Sequence, residues 1–517
     1  MRVRAAGGVA GVAAAAVALA VAELVTVATG SETGPLVAVG GVVVDNSPEP
    51  ATEFAISTFG VHDKTALLVG IVVVLAGAAA LLGAAATRRL WIGLAGLGGF
   101  AAVGVVSALT RHDATAAAVV PTLVGAAAAG GTFVVLQRRL IMETPEGHAD
   151  DTPTEVHDQP SSGSSRRGFL GTAAGVLGGA AVVGFGGRWV ATQRDLSAAR
   201  AAVALPGPVD PAPAVPVGAD LRLPDLDSYL TGNDDFYRID TALVVPRVRP
   251  DTWELRIHGR VRHPYTIDFA DLLSRPMVER YVTLACVSNQ VGGGLIGNAR
   301  WLGVPVAELL AAAEPEPGAD QVVSRAVDGW TCGTPTAVLT DGRDALLAVG
   351  MNGQPLPLEH GFPVRMVVPG LYGYVSACKW ITEIELTSFD DYDAYWVPRG
   401  WAQQAPIKTQ SRIDTPRRRV PAGPVMVAGV AWAQHRGIDR VEVRVDGGPW
   451  QEAELAETVS ADTWRQWSWR WEATQPGEHE LAVRATDATG QVQPSEPRPP
   501  APDGATGWHT VRVVVED

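Results

Sequence analysis

The sequence predicts a multi-domain chain: an N-terminal α-helical membrane region of five transmembrane helices, a mixed α+β domain, and a C-terminal all-β sandwich. Three observations carry this. Stretches 5–28, 65–86, 90–109 and 114–135 are nearly uncharged and apolar, each close to the roughly 20 residues that a spanning helix needs. A Gly/Ala-rich, weakly hydrophobic stretch comes next at 168–187. Beyond it, helical and alternating segments interleave up to about residue 416, after which only short alternating strands and turns remain. The expected divisions are a four-helix membrane region (1–141), a disordered cytoplasmic linker (142–165), a fifth transmembrane helix (166–190), a Pro/Ala linker (191–220), the α+β domain (221–416) and the sandwich (417–517).

Arg2 and Arg4 precede the first apolar stretch, Arg88 and Arg89 come after the second, and Arg138 and Arg139 after the fourth. The positive-inside rule places all three sites in the cytoplasm, and the alternation is self-consistent. The acidic loop 31–64 and the turn Arg111-His112-Asp113 then face outward. Glu23, inside the first stretch, would cost about 2 to 3 kcal/mol at mid-helix; its place near the outer end lets the carboxylate reach the interface. Residues 142–165 are polar and rich in Pro, Asp, Glu and Ser, a composition without a core. Ser165-Arg-Arg-Gly-Phe-Leu170 then matches a twin-arginine export signal. An ordinary fifth helix with flanking charges is the alternative, and either one places residues 191–517 outside the cytoplasm.

The apolar spans hold no histidine, His62 and His112 lying in flanking loops, so a b-type haem is not expected. With no Cys-x-x-Cys-His site and only three cysteines, Cys286, Cys332 and Cys378, neither an iron–sulfur cluster nor a zinc site is expected, and no flavin either. Cys332 and Cys378 could pair outside the cytoplasm; two free buried thiols are the simpler expectation. The net charge of -14, without a basic stripe, argues against nucleic acid as a partner.

Residues 205–216 read as an extended Pro/Ala/Val linker that lifts the next domain off the membrane. Trp253-Glu-Leu-Arg-Ile257 alternates as a half-buried strand, and 304–313 and 344–349 are short helix candidates. A cysteine taken alone is most often a small buried hydrophobe. Cys286, however, sits in Thr283-Leu-Ala-Cys-Val-Ser-Asn289, upstream of Met351-Asn-Gly-Gln-Pro-Leu-Pro-Leu-Glu-His-Gly-Phe-Pro-Val-Arg365 and Val368-Pro-Gly-Leu-Tyr-Gly-Tyr-Val-Ser-Ala-Cys-Lys-Trp380. Together these segments resemble the sulfite oxidase superfamily, over about Leu221 to the C-terminus. Asn233-Asp-Asp-Phe-Tyr-Arg238 and Asn298-Ala-Arg-Trp-Leu-Gly-Val304 extend the likeness.

The resemblance implies a molybdenum–molybdopterin cofactor, with Cys286 as the metal ligand and α+β molybdopterin binding in the middle domain. By the same likeness His360, Arg365 and Lys379 hold the pterin and its phosphate. Tyr237 and Arg238 lie beside the cofactor, and Ser376 to Cys378 add backbone or side-chain contacts. The chemistry suits the assignment: a thiolate is a soft anionic ligand, and Arg and Lys offer a planar fork and a mobile point charge to a phosphate. Electrons would pass through a separate electron-transfer protein.

Two departures bear on substrate. Family sulfite oxidases carry Cys-Ala-Gly-Asn-Arg-Arg, whereas this chain has Cys286-Val-Ser-Asn-Gln-Val291, and the family's active-site tyrosine falls on Trp401 in Tyr395-Trp-Val-Pro-Arg-Gly-Trp401. An anion pocket without that arginine binds sulfite poorly, and an indole donates but cannot relay a proton as a phenol does. Trp401 is the second catalytic candidate beside Cys286, and the substrate is expected to be a small molecule other than sulfite. A reductase for sulfoxides or other neutral oxides shares the expected fold; a non-catalytic membrane-tethered scaffold with a vestigial metal site is the rival of a different class.

Val441-Glu-Val-Arg-Val445, Trp467-Ser-Trp-Arg-Trp471, Leu481-Ala-Val-Arg-Ala485 and Val511-Arg-Val-Val-Val515 read as strands. Asp446-Gly-Gly-Pro-Trp450 and the run from Arg484 to Pro494 resemble the family's immunoglobulin-like dimerisation domain, which implies a homodimer. The Trp stripe at 467–471 is expected to pack in the core rather than bind carbohydrate.

Overall fold

The computed structural model describes residues 2–29, 34–48, 63–110, 116–142 and 196–516, with a few isolated positions between them. It forms two compact units, Met1–Ser197 with Ala242–Pro246, and Ala198–Thr241 with Arg247–Asp517.

The first unit contains α1 (Arg2–Ala28), α2 (Pro35–Asp45), α3 (Asp63–Ala86), α4 (Leu90–Leu109) and α5 (Val120–Met142). α1, α3, α4 and α5 are long and apolar enough to cross a membrane. Val69, Val73, Val74 and Leu81 of α3 point outward, as on a helix whose surroundings are apolar on every side. α1 and α3 meet through small residues: a Cβ added at Gly11 would strike the Ala79 carbonyl, and one at Gly83 the Gly7 carbonyl. Such contacts let two helix backbones approach closely.

Two expectations need revision here. The stretch 31–64 is not all loop, because Pro35 fits the first turn of α2, whose missing N–H costs nothing there. At 11 residues α2 is roughly 16 Å long and too short to span. α5 begins later than expected, with Pro121 in its first turn, and runs past Arg138 and Arg139 to Met142. The disordered linker at 142–165 and the fifth helix at 166–190 fall outside the described residues, apart from Met142 and isolated positions.

The second unit opens with two sheets. One has the order β2-β1-β10-β5-β6, from β1 (Glu254–Gly259), β2 (Tyr265–Asp268), β5 (Gln321–Ala326), β6 (Thr331–Pro335) and β10 (Ile381–Thr387). β1 runs parallel to β10 and alternates exposed and buried residues as expected. The other runs β3-β4-β7-β8 with β9 on β7, from β3 (Val278–Ala285), β4 (Ile296–Pro305), β7 (Leu346–Met351), β8 (Gln354–Pro355) and β9 (Arg365–Val367). Helices α6 (Phe269–Ser274), α7 (Val306–Ala313) and α8 (Thr336–Thr340) are short. An Asp268–Asp271 capping box starts α6, and α7 matches the expectation for 304–313. The candidate helix at 344–349 is instead the fully buried strand β7. A short continuous apolar run has no period to separate helix from buried strand, and here β4 and β9 supply the pairing.

The Pro-rich stretch 205–216 is also not a free spacer. Its Val209 N–H donates to Met277 O at 2.8 Å, Asp210 bridges to Val278, and Arg280 pairs with Asp210 at 2.5 Å. The edge of β3 would otherwise leave these backbone groups unpaired.

Two further sheets complete the unit, β11-β13-β17-β16 and β12-β19-β18-β14-β15. Their strands are β11 (Gln410–Thr415), β12 (Arg419–Pro421), β13 (Gly423–Trp432), β14 (Ile438–Val445), β15 (Gln451–Glu452), β16 (Glu454–Leu455), β17 (Arg465–Ala473), β18 (Gly477–Asp487) and β19 (His509–Glu516). Both sheets contribute to one apolar core, with Val427, Trp467 and Trp471 from the first and Val441, Val483 and Val513 from the second. Trp467 and Trp471 are thus core residues. β11 lies ahead of the expected boundary at 417 yet is the outer strand of the first of these sheets.

Candidate active site

Cys286 directly succeeds the last residue of β3. Its N–H donates to Leu295 O at 2.9 Å, and Asn289 closes the loop between them: its N–H reaches Cys286 O at 3.1 Å and its Oδ1 accepts from Leu295 N at 2.9 Å. The residue is 8% exposed. Burial pushes the thiol pKa up, against hydrogen bonds from Ser288 and the nearby Lys379 charge. A bound metal removes that proton outright.

The loop beyond Cys286 is braced by the C-terminal strands. Arg412 Nη1 of β11 donates to Gly293 O at 2.9 Å and its guanidinium is held by Asp414 and Asp227. His509 of β19 accepts from Ile413 N at 2.9 Å through Nδ1, and a Cβ on Gly292 would collide with its ring. Burial, then the Arg412 charge, holds His509 down to about 4. It is therefore neutral when folded, while the unfolded chain takes up its proton near pH 6.5. The stabilisation is complete above pH 6.5 and is lost as pH falls toward 4, on the order of 2 kcal/mol. His509→Gln keeps an acceptor for Ile413 N–H, so its melting temperature is expected to depend less on pH across that window than the wild type's. Parallel wild-type and variant curves would contradict this.

Cys286 shares a cleft with Tyr237, Asp240, Asp328, Trp330, His360, Arg365, Tyr374, Lys379, Trp396 and Trp401. The cavity within it measures about 140 Å³. His360 ends the 3-10 turn Leu358–His360, and its Nε2 lies 3.1 Å from Asn233 O, which makes that nitrogen the protonated one. Gly361 comes next at φ 107, where a Cβ would press on Arg365 Cβ at 3.0 Å and Lys379 Cα at 3.2 Å. This glycine is what lets the three segments close. Arg365 opens β9, bridges to Lys379 through the backbone, donates to His360 O at 3.2 Å and lies 5.1 Å from the Trp301 ring centroid. Lys379 Nζ is 2.7 Å from Asp240 Oδ2, which also receives Arg238 at 3.0 Å.

The electrostatics of this corner are those of an anion site. Burial, then Arg365 and Lys379, pushes His360 down to about 4; burial lowers Lys379 to about 8, with Asp240 opposing; burial lowers Arg365 to about 10. The Arg365 charge disfavours those of His360 and Lys379, and an anion placed among the three relieves this. The donor set therefore fits a phosphate-bearing cofactor, and the buried thiol in the same cleft fits a soft metal. Burial and the Cys286 thiol raise the Tyr237 phenol well above its ordinary value, keeping it protonated.

Not every expected residue lines the cleft. Arg238 is 37% exposed and reaches the site through Asp240. The Ser376 hydroxyl is turned to Leu371 O and Tyr372 O, at 3.2 and 2.9 Å, because the tight turn brings those carbonyls back over its short side chain. Cys378 is fully buried against Cys332, both thiols free. The Ser376 and Cys378 side chains are thus not in contact positions, while Trp401 lines the cleft beside Tyr374. Asp240, Asp328, Trp330, Tyr374 and Trp396 were not foreseen. The Asp328-Gly329 pair between two alternating runs was a legible hairpin signal for two of them.

Residues 242–396 match the oxidoreductase molybdopterin binding domain family, and residues 403–515 the Mo-co oxidoreductase dimerisation domain family. The chain is 32% identical to the sulfite oxidase of Gallus gallus over 323 residues, covering 53% of this chain and 70% of that protein. It is 32% identical to the mitochondrial sulfite oxidase of Rattus norvegicus over 346 residues, covering 56% of this chain and 62% of that protein's length. An oxidoreductase of Bacillus subtilis, YuiH, is 34% identical over 151 residues, 29% of this chain and 72% of that one. Among solved structures, the sulfane dehydrogenase SoxCD from Paracoccus pantotrophus aligns with a TM-score of 0.48 at 25% identity, over 56% of this chain and 85% of that chain.

Proposed function

Because the chain belongs to the sulfite oxidase superfamily, we propose that it is a membrane-anchored, extracytoplasmic molybdopterin-dependent oxidoreductase performing two-electron or oxygen-atom transfer. The observation that carries this is the convergence of Cys286, His360, Arg365 and Lys379 in one cleft. Cys286 is the metal ligand. His360, Arg365 and Lys379 hold the pterin and its phosphate, with Tyr237 alongside, Arg238 acting through Asp240, and the 376–378 backbone adding contacts. When bound, the molybdenum cofactor supplies the two-electron redox chemistry. The protein's part is to orient it, to exclude water with aromatic walls, and to keep the Tyr237 proton in place.

The four spanning-length helices support membrane anchoring, and the Arg pairs support a catalytic domain outside the cytoplasm, reached by a twin-arginine-like fifth helix. A separate protein carries electrons. The C-terminal module is immunoglobulin-like and forms a homodimer, a reading supported by its two-sheet core and its family match.

Sulfite, which names the rat and chicken relatives, is not carried over to this chain. Val291 stands where the second arginine would be, Trp401 replaces the phenol, and Arg300 is paired with Glu279 at 3.3 Å rather than lining the cleft. These observations favour a neutral substrate, with reduction of a sulfoxide-type oxide as the alternative direction. Metal-replete protein assayed with an artificial electron acceptor is expected to oxidise sulfite slowly or not at all. Rapid turnover at micromolar sulfite would show that the anion site has been rebuilt from other groups.

A further inference from the structure

We infer that the Tyr237 phenol is the specificity-determining donor of the cleft, giving its O–H to the oxygen of an uncharged oxide, such as a sulfoxide, that the site takes as substrate or forms as product. The inference rests on the cleft being the oxidoreductase site and names the residue that selects the neutral oxide there. Such an oxygen is an acceptor only, so it is read by a donor that the protein has not already committed to itself.

Tyr237 meets that condition. Its ring stacks on Phe236, with centroids 5.2 Å apart at 21°, and Phe236 stands edge-on to Trp301 and His360 at 5.8 and 5.5 Å. The phenol is therefore aimed by packing rather than by a hydrogen bond, and its O–H meets no acceptor among the described residues. It opens on Gly373, the first residue of the 3-10 turn Gly373–Val375. A Cβ built on Gly373 would lie 4.0 Å from the phenol oxygen, 3.8 Å from Ala285 O and 3.5 Å from Ala377 Cβ. Ala285 directly precedes Cys286, and the Cys286 thiol acts on the phenol electrostatically. An uncommitted donor thus stands beside the residue that would fix the metal's position.

Most of the cleft's other polar groups are engaged. Ser288 is hydrogen-bonded to Cys286, and Tyr374 donates to Ala402 O at 2.6 Å. Lys379 is held by Asp240 at 2.7 Å, Arg365 donates to His360 O at 3.2 Å, and Asp328 accepts from Trp330 N at 3.2 Å. Thr241 adjoins Asp240, on the side that holds the Lys379 ammonium. Trp330, Trp396 and Trp401 add aromatic surface for the substituents of the oxide. The oxide oxygen satisfies the Tyr237 donor, whereas a hydrocarbon of the same shape leaves it unpaired.

The test is calorimetric titration of the purified, cofactor-loaded full chain in detergent, without reductant, with methyl phenyl sulfoxide and with its oxygen-free isostere isopropylbenzene. Molybdenum content is measured on the same preparations. The readout is the ratio of the two affinities, in which partition into detergent cancels between wild type and variant. Saturable binding that prefers the sulfoxide is expected, and Tyr237→Phe should lower the preference roughly three- to tenfold while leaving isopropylbenzene unaffected. Gly373→Ala keeps the phenol but sets a methyl in front of it, and should lower the preference likewise; it decides the matter should Tyr237→Phe lose its cofactor. Molybdenum-containing wild type that does not bind the sulfoxide, or a molybdenum-containing variant of either kind that keeps the wild-type preference, overturns this inference and leaves the oxidoreductase reading standing. Protein made in a cofactor-competent host that lacks molybdenum overturns both.

Discussion

Cys286→Ser is expected to keep a substantial share of the molybdopterin and to lose turnover by at least on the order of 100-fold. The exchange replaces a soft, strongly donating ligand with a hard one, and so shifts the metal's redox balance. The pterin contacts at His360, Arg365 and Lys379 are on other segments and are untouched by the change. Cys332→Ser serves as the control. Cys332 is fully buried in β6 against Cys378, away from the cleft lining, so that variant should retain both cofactor and turnover. Pterin fluorescence after acid release measures the cofactor, and single-turnover kinetics the chemistry. Wild-type activity in Cys286→Ser would remove the thiolate from the mechanism.

Arg365→Met is expected to act in opposite directions on stability and on cofactor retention. Arg365 is 5% exposed, and its own charge is disfavoured by burial. A thioether of similar length relieves that cost, so the cofactor-free protein should be as stable as the wild type or more so, by about 1 kcal/mol. The lost charge-assisted hydrogen bonds to the phosphate are worth about 1.5–3 kcal/mol, which corresponds to roughly ten- to a hundredfold weaker retention. Melting curves of cofactor-free protein and molybdopterin content of isolated protein read the two effects separately. A variant that is destabilised yet holds its cofactor would make Arg365 a structural residue instead.

The strands of the C-terminal sheets and the spanning helices were legible because their patterns are long or strictly periodic. α4 begins and ends at the predicted residues, and Trp467 and Trp471, four residues apart, fall on the buried face of β17. β7 was not legible, since Leu346–Met351 is apolar at every position and only its partners decide its form. The 205–216 segment read as a spacer from its prolines alone, but hydrogen-bonding partners on β3 decide its placement, and no local rule reports them. At the site, residue types and order pointed to Cys286, His360, Arg365 and Lys379. The turning of Ser376 toward its own turn, and of Cys378 toward Cys332, depends on side-chain direction within a tight loop, which sequence order does not encode. Asp240 is found only once the fold brings its carboxylate between Arg238 and Lys379.

Cys286 is expected to hold a molybdenum cofactor in this chain. Elemental analysis of the full-length protein, purified in detergent from a host that makes molybdopterin, tests it most directly. About one molybdenum per chain is expected, together with releasable pterin. Protein that is folded and correctly assembled but carries neither molybdenum nor pterin would contradict it.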